Sequence, residues 1–150
     1  MAQTYTSLLY QIVFSTKGRL PYLKSEIRPD LFAYMGGILR NLGAKPILIN
    51  GPEDHAHALV GIPPRLCVSE VVGKLKSNSS GWVHNRWRGM PEFGWQDGYA
   101  AFPVSRSDLA RVYRYIATQE QHHARVSFKD ELRNLLREHG IEFDERYLWD

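Results

Sequence analysis

The sequence predicts an α+β protein: a ferredoxin-like antiparallel sheet with helices packed on one face. Three observations carry that prediction. Short strand-like runs alternate with longer stretches of helical periodicity, in the order strand, helix, hairpin, helix, strand, helix. Two apolar runs in PILINGPEDHAHALVGIPP are joined directly by a Gly51-Pro52 turn, which dictates antiparallel pairing. The remaining helical stretches are amphipathic, as helices lying on a sheet must be.

Each element has its own local reason. Residues 7 to 15, SLLYQIVFS, form a nearly continuous apolar run rich in strand-favouring residues and read as a central strand. From Ser25 to Leu42, apolar residues fall at helical spacing through Leu31, Met35, Ile38 and Leu39, with Pro29 near the start and Gly43 just beyond the end. A second helix is predicted over Val68 to Asn85, with a stripe through Val71, Val72, Leu75 and Trp82. The Gly-, Pro- and Trp-rich RWRGMPEFGWQDG reads as an ordered loop, and YAAFPVS as a further strand. Ser105 and Asp108 then make a capping-box-like start for a helix running to about Ala124. Ser127 and Asp130 repeat that signal before ELRNLLREHG, whose Gly140 is a helix end. No repeat, low-complexity tract or linker interrupts the chain, so residues 1–150 read as a single domain.

Composition narrows the class. With 43% hydrophobic and 23% charged residues the chain is globular rather than disordered. A net charge of +3 permits nucleic acid as a partner without requiring it. Cys67 is the only cysteine, which excludes an internal disulfide and a CxxC knuckle; it reads as a small buried residue in a reducing compartment. The N-terminus lacks a signal-peptide layout and no apolar run approaches the length of a membrane span, so the expected location is cytoplasmic, with no membrane partner.

Chemistry concentrates in two places. In DHAHALV, His55 and His57 are two apart on a strand, so their imidazoles share one face, a geometry that suits a metal or an anion. Taken alone the pair could equally be unrelated histidines, one exposed and one hydrogen-bonded inside. In SDLARVYRYIATQEQHHARV, a rotation of ~100° per residue with Leu109 at zero puts Val112, Ile116 and Tyr113 within about 60° of it, as a buried stripe. Tyr115 and Gln119, at about 240° and 280° by the same count, lie one turn apart on its shoulder. His122 and His123 are accounted for by the helix dipole at a helix end.

Together QIVFSTKGR, DHAHALV, LKSNSSGWVH, YIATQEQHH and HGIEFDERYLW resemble, over nearly the whole chain and in order, the single-tyrosine HUH transposases of small insertion sequences, including the REP-associated tyrosine transposases. His55-Ala56-His57 matches the His-hydrophobic-His motif, with Ala56 smaller than the usual middle residue. The resemblance implies that Tyr115 is the nucleophile and that Gln119 joins His55 and His57 as third metal ligand. It implies a transposase or endonuclease that cleaves and rejoins single-stranded DNA, near a hairpin, through a covalent 5′-phosphotyrosine. Two imidazoles favour Zn, Mn or Co over Mg; the family implies Mg2+ or Mn2+. It also implies a homodimer whose sites are composite, with the histidines from one subunit and Tyr115 and Gln119 from the other.

Candidate DNA contacts are Lys17 and Arg19 after the first strand, Lys74 and Lys76 on the second helix, and Arg86 beside Trp87 and Arg88. Trp82, in phase with Leu75, reads as core. Two rival readings use fewer of these residues. A non-catalytic single-stranded nucleic-acid-binding module needs only the basic face, and a water-activating metal hydrolase leaves Tyr115 incidental.

Overall fold

The computed structural model describes residues 2–149. Its centre is a four-stranded antiparallel sheet of order β2-β3-β1-β4, built from β1 (Leu9–Ser15), β2 (Lys45–Asn50), β3 (His55–Gly61) and β4 (Ala100–Val104). The helices are α1 (Arg28–Leu42), α2 (Val68–Arg86), α3 (Leu109–Ala117), α4 (Gln119–His123) and α5 (Phe128–Glu138). The α+β antiparallel architecture expected from the sequence is therefore present. Among the described residues no helix is long and apolar enough to cross a membrane.

Strand alternation sorts the core. Ile12 and Phe14 of β1 and Ala56, Ala58 and Val60 of β3 face α1 and α2, where they meet Leu31, Met35, Leu39, Val72 and Leu75. The intervening residues face the other way. Val13 and Phe102 pack on Phe128, Leu132, Leu135 and Leu136 of α5, and Leu59 and Val104 pack on Val112 and Ile116 of α3. Helices thus cover both faces, correcting the expectation of one. The physical reason is that β1 and β3 are apolar at odd and even positions alike, and a strand of that kind must be buried on both sides. Ala56, at 0% exposure, lies under α1 and α2, so the motif's small middle residue packs on the face opposite its histidines.

Local chemistry sets the element ends. At Gly51 a Cβ would come within 2.2 Å of the His55 carbonyl oxygen, so the turn leading to the histidine strand needs glycine. Gly43 closes α1 in the left-handed region (φ 94°), where its N–H reaches the Arg40 and Leu39 carbonyls. The helix predicted from Ser105 to Ala124 is broken into a 3-10 turn (Arg106–Asp108), α3 and α4. At the break Thr118 has φ −105° and ψ 25°, and its Oγ1–H donates to the Arg114 carbonyl at 2.9 Å. Such a back-bond competes with the helical ladder and bends it.

Three side chains depart from expectation. Tyr113 is 42% exposed while Tyr115 is half-buried, because the buried arc of α3 is centred on Val112 and Ile116 rather than on Leu109. Cys67 is exposed: it stands at the N-cap of α2, where the incoming loop lies at the surface. Trp82 is only half-buried and stacks on Tyr34, with ring centroids 4.6 Å apart. The loop after α2 is ordered as predicted. Trp95 bridges to Thr16, is 7% exposed, and its Nε1–H donates to Ser79 Oγ at 2.9 Å.

Candidate functional site

His55 and His57 do share one strand face, the one covered by α3, α4 and α5. Both are fully buried, with ring centroids 5.1 Å apart. Each ring is held from behind. His55 Nδ1 lies 2.8 Å from Asp54 Oδ1, and His57 Nδ1 lies 3.1 Å from Nε2 of the buried Gln11, on the neighbouring strand β1. Both partners fix ring orientation and leave each Nε2 aimed at the interior of the site, but their directions differ. Asp54 accepts from His55 Nδ1–H, whereas Gln11 Nε2–H donates to His57 Nδ1, so that His57 Nε2–H donates to Glu131 Oε1 at 3.0 Å.

What meets those nitrogens comes from α5. Phe128, Glu131, Leu132, Leu135 and Leu136 form its buried stripe, so Glu131 is carried into the interior among leucines. Its Oε1 lies 3.0 Å from Nε2 of His55, 3.0 Å from Nε2 of His57 and 3.1 Å from Nε2 of His123. Its Oε2 lies 3.3 Å from Nε2 of His122. Burial works to raise the Glu131 pKa, but the imidazoles of His123, His55 and His57 outweigh it and hold the carboxyl well below its usual range. For His55, burial is outweighed by Asp54 and Glu131, and the pKa is raised. For His57, burial prevails over Glu131 and the pKa is lowered.

The helix α3 delivers the remaining groups. It packs on the sheet through Val112 and Ile116, and the Asn50 side-chain amide donates to the Ile116 carbonyl at 2.9 Å. Tyr115 lies with its ring 5.8 Å from that of His57, and its hydroxyl donates to Glu131 Oε2. One turn later Gln119 is fully buried, its Nε2 3.3 Å from both Glu131 Oε2 and the Tyr115 carbonyl. Burial, and then the charge of Glu131, push the Tyr115 pKa well above that of an ordinary tyrosine. Among the described residues, three buried side-chain atoms lack a hydrogen-bond partner: His55 Nε2, His123 Nε2 and Gln119 Oε1. Gln119 Oε1 bears lone pairs, a neutral imidazole offers one at Nε2 when its proton is on Nδ1, and the ligand atoms of His55, His57, His123 and Glu131 all lie within 4.8 Å of one another. Convergent lone pairs without donors are what a divalent cation satisfies, so the donor set fits one.

The residues predicted from sequence are thus gathered in a single chain: His55, His57, Tyr115 and Gln119. The expected composite site, shared between subunits, is not needed to complete the set, because α3 docks on its own chain's sheet. Sequence reasoning missed Glu131, His123, Asp54 and Gln11. Two of them left a trace. Glu131 is the one acid on an otherwise apolar helical stripe, and His123 follows Gln119 by four residues, on the same helix face.

The candidate DNA contacts divide. Lys17 and Lys74 are exposed. Arg19 is tied to the Trp149 carbonyl at 3.1 Å, and Arg86 lies 3.9 Å from Asp30 and over the Trp87 ring. Lys76 is a correction. Its ammonium donates to the carbonyls of Gln96 (2.8 Å), Asp97 (3.2 Å) and Gly98 (2.6 Å), which uses all three donors, and it lies 5.3 Å from the Phe14 ring centroid. Burial, partly opposed by Asp97, lowers its pKa to about 8. Lys76 therefore fastens the loop after α2. The expected result of Lys76→Met is a loss of about 1–3 kcal/mol of stability, read by thermal unfolding, with the salt dependence of DNA binding unchanged.

A family model described as "Transposase IS200 like" matches residues 4–119 of this chain. The transposase for insertion sequence element IS200 of Salmonella typhimurium strain LT2 is 33% identical over 129 residues, covering 79% of this chain and 81% of the relative. The IS200 transposase of Salmonella typhi matches to the same extent. Among solved structures, a candidate transposase from Deinococcus radiodurans R1 superposes with a TM-score of 0.65 at 22% identity, covering 79% of this chain and 96% of the other. A REP-associated tyrosine transposase bound to a REP hairpin superposes with a TM-score of 0.61 at 14% identity, covering 84% and 74%. At these identities the two structures share the fold.

Proposed function

The chain belongs to the IS200-like transposase family, and on that premise we propose that it cleaves and rejoins single-stranded DNA in a metal-dependent reaction through a 5′-phosphotyrosine on Tyr115. One observation carries this reading: the Tyr115 hydroxyl opens onto the same buried polar cluster as His55, His57 and Gln119. A non-catalytic DNA-binding module has no use for such a cluster, which is costly to bury. A hydrolase using water has no use for a phenol seated within it.

In the reaction, the Tyr115 oxygen attacks the phosphorus, a P–O3′ bond breaks, and the departing O3′ takes up a proton to become a free 3′-OH. The phosphodiester energy is kept in the tyrosine ester, so a 3′-OH can later attack it and rejoin a strand without ATP. Glu131 Oε2 accepts from the Tyr115 hydroxyl and holds it in place, and the phenolic proton passes to water as the bond to phosphorus forms. A divalent ion held by His55, His57 and Gln119 would supply polarisation of the non-bridging oxygens and fix the phosphate. Of Mg2+ and Mn2+, the imidazole-rich surroundings favour Mn2+.

A groove of about 460 Å3, lined by Arg19 and Arg28 and by the acids Glu53, Asp54 and Glu120, leads to His123. A cavity of about 230 Å3 flanks Tyr115 on the side of Arg111 and Asn134. By analogy with the hairpin-bound neighbour in fold, the substrate is a single strand carrying a hairpin near the cleavage site.

Incubating the protein and Mn2+ with single strands from the flanks of its own gene should give a denaturation-resistant adduct; hydrolysis without an adduct would favour the hydrolase. We place each site within one chain, whether or not the protein is a homodimer. Mixing His57→Ala and Tyr115→Phe chains should then restore no adduct, whereas an adduct on the His57→Ala chain would establish helix exchange between subunits.

A further inference from the structure

We propose that Glu131 is a positioning residue that bridges the metal and the nucleophile, with Oε1 as an ion ligand beside His55, His57 and His123, and Oε2 holding the Tyr115 hydroxyl. The inference rests on the metal-dependent reading above and concerns a residue outside the segment matched by the family model. The carboxylate oxygen lies at the focus of three imidazole nitrogens, at 3.0, 3.0 and 3.1 Å. An ion at that focus needs nitrogens at about 2 Å. Oε1 must therefore withdraw by about the same distance, which leaves it within bonding reach as a further ligand.

The unpartnered atoms point the same way. His55 Nε2 and His123 Nε2 lie close to Oε1 yet make no aligned hydrogen bond to it, so the carboxylate alone does not satisfy them. Asp54 at the far nitrogen of His55 suits the tautomer whose Nε2 lone pair faces an ion. Oε2 is engaged separately, accepting from Tyr115 and from Gln119 Nε2. A carboxylate whose two oxygens serve different partners transmits position: the ion would set Oε1, and Oε2 would set the phenol. Three imidazoles and one carboxylate, with Gln119 Oε1 as the neutral oxygen of the reading above, form a nitrogen-rich set preferred by Mn2+, Co2+ and Zn2+ over Mg2+.

The test is calorimetric titration of Mn2+ and Co2+ into the full chain, together with the visible spectrum of the Co2+ form. Wild type should bind one ion and show the intense bands of four- or five-coordinate Co2+. Glu131→Gln should bind at least about tenfold more weakly and lose those bands, and His123→Ala should behave in the same way. Tyr115→Phe should change Mn2+ affinity measurably, because it releases Oε2, while the exposed Tyr113→Phe should not.

His55→Ala separates this inference from the reading beneath it. If wild type binds no ion, or His55→Ala binds like wild type, the metal-dependent reading fails. If His55→Ala abolishes binding but folded Glu131→Gln binds as tightly as wild type or more tightly, Glu131 is not a ligand. An unchanged affinity in Tyr115→Phe overturns the bridge. Should Glu131→Gln not fold, the wild-type Co2+ spectrum decides, since weak six-coordinate bands overturn the proposal.

Discussion

Tyr115→Phe is expected to eliminate the covalent protein–DNA adduct entirely, while Tyr113→Phe forms it at the wild-type level. The two tyrosines are separated by a single residue, but only Tyr115 enters the polar cluster; Tyr113 is 42% exposed. Phe keeps the ring and removes only the hydroxyl, so packing is retained at both positions. At Tyr115 the change also withdraws a donor from Glu131, at a cost of about 1–3 kcal/mol. At Tyr113 it should stay within about 0.5 kcal/mol. Denaturing electrophoresis with a labelled strand reads the adduct, and thermal unfolding confirms that both variants are folded. An adduct with Tyr115→Phe but none with Tyr113→Phe would reverse the assignment.

The second large effect is expected from His57→Ala: loss of strand cleavage and a fall of at least about 100-fold in divalent-metal affinity, beyond the usual cost of losing an outer partner. His57 is fully buried, held between Gln11 and Glu131. Removing its imidazole deletes a ligand atom and also leaves Glu131 Oε1 with one hydrogen-bond partner fewer. Metal-free stability should therefore fall as well, by about 1–3 kcal/mol. Gln119→Ala should impair cleavage with a smaller loss of affinity, because its Oε1 is a single neutral donor on a short helix. Circular dichroism of the metal-free proteins separates unfolding from loss of the site. Wild-type affinity and cleavage in folded His57→Ala would rule the site out.

How much of this was legible differs by element. The hairpin carrying His55 and His57 could be read because Gly51-Pro52 and strand alternation are local rules. The α2 stripe was read to within one residue of its observed end at Arg86. Tyr115 and Gln119 are neighbours as expected, but across the break between α3 and α4 and not on one continuous helix face; the zero of the helical wheel was misplaced, and Tyr113 was put inside. Which arc of a helix is buried depends on the surface that receives it, here Leu59 and Val104 of the sheet. Lys76 failed for a related reason. Its sequence neighbours suggest a basic face, but its ammonium is consumed by carbonyls of a loop some twenty residues away.

By itself the sequence determined the alternation of strands and helices, the antiparallel hairpin, the shared face of His55 and His57, and the one-turn spacing of Tyr115 and Gln119. All of these follow from periodicity, which acts over a few residues. Only the tertiary structure decided that helices cover both sheet faces, that α3 docks on its own chain's sheet, and that Glu131 and His123 meet the histidine pair. Those facts depend on α5 folding back over the sheet, so that an acid 74 residues from His57 in the chain comes within 3.0 Å of its ring. Helical phase alone identifies Glu131 as a charge on an apolar stripe; the histidines it meets there are fixed by packing, which no local pattern encodes.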